Sequence, residues 1–169
     1  MRLDRWATTA LATLLIPLLS TLMGCDQQRI GKLEEGVATE ADVKREFGEP
    51  KVVFNEANGS RTFEYPRQPE GQVNYFITIG PDGKMSALRQ VLKPSEFAKI
   101  TPGLDKTEVR KLLGRPAKTQ RFDLKPDEEH WEWRWLDGQQ AKLFNVTFDR
   151  DGKVLSSASV DDMRDTLSN

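Results

Sequence analysis

The chain has 169 residues, with 25 Lys and Arg against 26 Asp and Glu and a formal net charge of −1. That balance, with no basic block or stripe, argues against a nucleic-acid partner, because such a partner requires a concentration of cations along its phosphates. A single cysteine rules out an internal disulfide, so a hydrophobic core must hold whatever one or two small domains the length allows.

The first residues have the three parts of a secretory signal. Arg2 and Arg5 give a positive start, and Ala7 to Leu19 form an apolar run too short to cross a hydrocarbon layer of about 30 Å as a helix. The run ends at Leu22-Met23-Gly24-Cys25, which resembles the Leu-x-Gly-Cys lipobox of bacterial lipoproteins. That resemblance implies a signal peptide over 1–24, cleavage between Gly24 and Cys25, and diacylglycerol, with palmitate-type chains, on the Cys25 thiol. Each buried CH₂ contributes about 0.8 kcal/mol, so two or three chains hold a protein firmly on a bilayer. Removing Arg2, Arg5 and Asp4 takes the formal charge from −1 to −2.

The rest of the chain repeats itself. Gly36 to Pro50 lies over Gly103 to Pro116 with one gap. Phe63-Glu64-Tyr65 lies over Trp131-Glu132-Trp133, and Ile77-Thr78-Ile79 over Val146-Thr147-Phe148. Asp82-Gly83-Lys84 matches Asp151-Gly152-Lys153 in the same order. Two units follow, 25–92 and 93–169, joined near Leu92-Lys93-Pro94.

In each unit Thr39 or Asp105 is placed to cap a helix, with Asp42 or Glu108 three residues later. The spacing predicts helices over 40–47 and 106–113, with Val43 and Phe47, or Val109, Leu112 and Leu113, on one face. Gly48 and Gly114 suit left-handed caps, and Pro50 and Pro116 forbid continuation. The period then drops to two, with Phe76 and Leu143 as the imperfections in the alternation. Asp82-Gly83 and Asp151-Gly152 read as type I′ hairpin turns. Each unit is therefore α+β: two short helices, then an antiparallel meander of three or four strands.

Helix, glycine, capped helix ending in Gly-x-Pro, aromatic strand and Gly-Lys hairpin together resemble the SmpA/OmlA (BamE-like) lipoprotein family over Ile30 to Val91 and Ile100 to Val160. The second unit carries more of the pattern, through Gly103, Val109, Leu113-Gly114-Arg115-Pro116, Trp131, Trp133, Phe148 and Asp151-Gly152-Lys153-Val154. The resemblance implies an accessory of outer-membrane β-barrel protein assembly that binds a partner subunit of that machinery at the periplasmic face. The tandem arrangement is also similar to the β-lactamase inhibitory proteins, which implies an inhibitor-like or peptide-binding module acting on a periplasmic enzyme as the alternative. Asp26, next to the lipid-bearing cysteine, resembles an inner-membrane signal, whereas the family resemblance implies the outer membrane.

The residues themselves offer little chemistry. His130 stands beside Asp127, Glu128 and Glu129 without a second histidine or cysteine, too poor a set for a metal or a general base. Trp131, Trp133 and Trp135 alternate along one strand and fit a core against Val109, Leu112 and Leu113 better than a docking platform. Asp149-Arg150-Asp151-Gly152 lacks the later ligands of a calcium loop. Ser156 to Ser159 has neither a histidine partner nor a Gly-x-Ser-x-Gly elbow. No cofactor and no enzymatic activity are expected. The candidate protein contacts are outward strand positions, Glu132, Arg134, Phe76 and Asn145, while 55–60 and 66–71 read as turn-rich loops without binding chemistry.

Overall fold

The structure is a computed structural model, described over residues 24–164; residues 1–23, with the apolar run expected to be a signal, and residues 165–169 lie outside the described part. Two four-stranded antiparallel meanders carry the fold, one per half. The first comprises β1 (Val52–Asn55), β2 (Arg61–Pro66), β3 (Asn74–Ile79) and β4 (Met85–Gln90). The second comprises β5 (Lys118–Phe122), β6 (Lys125–Asp137), β7 (Gln140–Phe148) and β8 (Val154–Asp161). Among the described residues four short helices complete it: α1 (Gly24–Ile30), α2 (Glu40–Phe47), α3 (Pro94–Phe97) and α4 (Lys106–Leu113).

The second helices fall where their caps place them. Thr39 and Asp105 each accept from the amide three residues on, and Asp42 and Glu108 each return a bond to the cap's own amide. These reciprocal bonds satisfy donors that the first helical turn leaves open. The leading helices differ between the halves: α1 has seven residues, α3 a single turn opened by Pro94.

The repeat persists in the hydrogen bonds. Glu40 N–H donates to Gly83 O and Met85 N–H to Ala38 O; the counterparts are Lys106 to Gly152 and Val154 to Leu104. Each helix start is thus stitched to the hairpin tip of its own sheet. At the other helix end the aromatic donor of the second strand takes the glycine carbonyl, Tyr65 Oη to Gly48 at 3.0 Å and Trp133 Nε1 to Gly114 at 3.1 Å.

Two local expectations change. Gly48 and Gly114 have φ of +81° and +75° but ψ of −166° and −168°. That is the extended region open essentially to glycine alone, not the left-handed helical cap, and it turns the chain directly into Pro50 or Pro116. The hairpins are not type I′ either. Gly83 N–H donates to Gly80 O while Gly80 N–H donates to Lys84 O, and residues 149–153 repeat this. This is a three-residue loop, a turn followed by a positive-φ glycine, and the register shifts between Thr78 and Ile79 and between Thr147 and Phe148 accompany it.

Each sheet lays one face on its capped helix. In the first, Val43 and Phe47 pack with Phe63, Tyr65, Tyr75, Ile77, Ile79 and Met85. In the second, Val109 and Leu113 pack with Trp133, Trp135, Phe144, Val146, Phe148 and Val154, and Trp131 borders them. The second core does not stop at its own unit: Phe76, Val91 and Leu92 belong to it.

Candidate functional site

The two sheets present the same outward positions, fixed by matching registers. Val52 opposes Glu64 and Glu64 opposes Phe76; Lys118 opposes Glu132 and Glu132 opposes Asn145. Thr62 and Thr78 hydroxyls touch across one sheet at 3.3 Å, and His130 Nδ1 and Thr147 Oγ1 across the other at 3.0 Å. What lies over the two faces differs.

The outer face of the first sheet is filled by the second unit. Glu64 is fully buried, and its Oε1 accepts from Arg110 at 2.5 Å and from the Arg115 amide at 2.6 Å. Asn74, also fully buried, donates to the carbonyls of Leu113 at 2.8 Å and Arg115 at 3.0 Å. The α4 helix end is thus gripped by a carboxylate below its amide and an amide below its carbonyls. Phe76 lies beside this grip, 1% exposed and edge-on to Phe54. Phe76 is therefore corrected from a partner contact to a buried residue of the joint, because the face it points to is already covered.

On the second sheet the outer face carries Lys118, Gln120, His130, Glu132, Arg134, Leu143, Asn145, Thr147, Ser156, Ala158 and Val160. Glu132, Arg134, Leu143 and Asn145 are partly exposed, and Val160 is 46% exposed. Three of the four candidate contacts meet here, but they are not equivalent. Arg134 is a tie: its Nε donates to the buried Asp162 at 3.2 Å and its Nη1 lies 3.4 Å from the Pro69 carbonyl. Glu132 takes Arg164 Nη2 at 3.3 Å, and Asn145 sits in mid-sheet.

The connection 67–73 does work that sequence reading missed. Gln68 Nε2 donates to Arg134 O at 2.8 Å while Arg134 N–H donates to Gln68 Oε1, so one side chain pairs like a strand residue with β6. Arg67 next to it holds both oxygens of Asp26, at 2.8 and 2.9 Å, and these bonds hold the Asp26 carboxyl below its ordinary range. No local pattern announces such partners, which lie 41 and 66 residues away in the chain.

His130 contacts Thr147, the edge of Phe122 and, at 3.4 Å, Glu128. Among the described residues, no three His, Cys, Asp or Glu side chains are grouped to hold a metal. Cys25 lies at the second position of α1, and its side chain is outside the described part, as are residues 1–23 with the rest of the expected signal.

No protein-family model matches the chain, and no curated protein matches it. Among solved structures, a DUF4309 family protein, YjgB from Bacillus subtilis, is similar at 19% identity over 77% of this chain and 82% of that one, with a TM-score of 0.30. The resemblance to the SmpA/OmlA family, and with it the likeness to the β-lactamase inhibitory proteins, is therefore withdrawn. Its motifs were caps, turns and aromatic strand positions, which specify local geometry and recur wherever that geometry does.

Proposed function

We propose that this is a lipid-anchored envelope protein that binds another protein through the outer face of its second sheet. The observation that carries the reading is the inequality of two matched faces. On the first sheet, Phe76 breaks the polar alternation and is covered by a helix end. On the second, Leu143 breaks it in the same way, and with Val160 it leaves apolar area among polar neighbours on a partly exposed face. Apolar side chains amid a polar rim, with one carboxylate near the centre, fit a protein partner better than a small molecule. The anchor part of the reading rests on the charged start, the short apolar run and Leu22-Met23-Gly24-Cys25. The family likeness no longer supports the barrel-assembly machinery as the specific partner.

Affinity purification of the full-length lipoprotein from its detergent-solubilised envelope tests both parts. Cys25→Ser is expected to leave the membrane fraction, and Leu143→Arg or Glu132→Lys to lose the captured protein while keeping the wild-type melting temperature. A partner retained by both face variants would overturn the docking face. Barrel-assembly subunits in the eluate, or one soluble periplasmic protein, would identify which process the face serves. Arg134→Ala is the wrong probe, since it cuts the tie to Asp162.

A further inference from the structure

A lipoprotein's folded body can hang on a free length of chain or sit directly on its anchor, and the placement of Asp26 decides between these. Asp26 follows the acylation site immediately, so its Cα lies about 3.8 Å from that of Cys25. Its side chain is only 13% exposed and is held by Arg67 through two parallel bonds of 2.8 and 2.9 Å, with Arg29 adding a third at 3.3 Å. The Arg67 guanidinium in turn lies over the rings of Phe47 and Tyr75, 5.6 and 6.0 Å from their centroids. Both rings belong to the first core, so the carboxylate next to the lipid is fastened to the packed interior of the protein.

We propose that Arg67 is an anchor latch and that the end of the molecule around it is a membrane-contact surface. This rests on the acylation of Cys25 read above. One residue of chain separates the lipid from a long-range contact, which leaves no tether. The bilayer headgroups therefore meet the start of α1, the 67–71 connection and the C-terminal corner of α2, where Gly48 and Glu49 are exposed. The turn at 80–84 lies at the opposite end, beside the N-cap of α2, across the six residues of β3 or about 16 Å of strand. Because Gln68 also pairs with β6, the latch fixes how the second sheet is held relative to the bilayer.

The test uses the full-length acylated protein in phosphatidylethanolamine–phosphatidylglycerol vesicles containing a headgroup-attached quencher. A dye is placed at Glu70→Cys or Asp82→Cys, both exposed positions. Quenching at 70 is expected to exceed that at 82 several-fold, and Arg67→Met to bring the two together while circular dichroism stays that of the wild type. Asp26→Asn provides the same comparison if the Arg67 variant misfolds. Equal quenching at 70 and 82 in protein that floats with the vesicles would overturn the latch alone. Protein that fails to float would overturn the anchoring and the latch together.

Discussion

At the scale of single residues, the clearest electrostatic device outside the joint is Glu129. Burial pushes its carboxyl up, but hydrogen bonds from Lys106, Trp131 and Arg121 outweigh this and hold it at about 2, against an ordinary 4.5. The bonds measure 2.8, 2.6 and 2.7 Å and tie the start of α4 to β5 and β6. A carboxyl depressed in the folded state contributes stability that is complete above its unfolded pKa and disappears as pH falls through its folded one. The gap in melting temperature between wild type and Glu129→Gln is therefore expected to be full above pH 4.5 and to close toward pH 2. A gap constant across that window would show that the charge is not what Glu129 supplies. Leu113 is simpler: fully buried beside Trp133, it should cost ~2–5 kcal/mol as Leu113→Ala, read from chemical denaturation.

Elements show what could be read in the chain and what could not. Helices α2 and α4 were legible to the residue because caps, apolar spacing and Gly-x-Pro stops are local and mutually consistent. The hairpin type was not, since Asp-Gly serves both a two-residue and a three-residue loop and the difference lies in which amide closes the turn. Phe76 was legible as an irregularity but not in its meaning: an apolar residue on the supposedly wet face marks a face buried by something distant in sequence. The two helix-ending glycines share their backbone angles but not their surroundings, which gives a paired prediction. A Cβ on Gly48 meets nothing within 4 Å, whereas on Gly114 it meets Glu64 Oε1 at 3.0 Å and Asn74 Nδ2 at 3.1 Å. Gly48→Ala should cost the backbone strain alone, about 1–3 kcal/mol, and Gly114→Ala distinctly more. Equal losses of stability would mean that the joint yields without resistance.

Across the whole molecule, the joint decides whether two repeats behave as one protein. Phe76, Val91 and Leu92 lend the first half's side chains to the second half's core, and the grip of Glu64 and Asn74 on the end of α4 fixes the angle between them. The polar part is the more brittle. Glu64 Oε1 is fully engaged, while Oε2 is buried with no hydrogen-bond partner, so the carboxylate depends on the Arg110 charge and the Arg115 amide to offset its desolvation. Arg110→Ala strands that carboxylate and is expected to cost ~3–5 kcal/mol, the range for removing one partner of a buried pair. Glu64→Gln keeps the volume and removes the charge, so combining it with Arg110→Ala should recover much of that loss in a double-mutant cycle. The single variant should also separate thermal unfolding into two steps, because the joint couples the halves while each sheet retains its own helix. Additive losses in the cycle, with one cooperative transition throughout, would assign the coupling to Phe76 and its apolar neighbours instead.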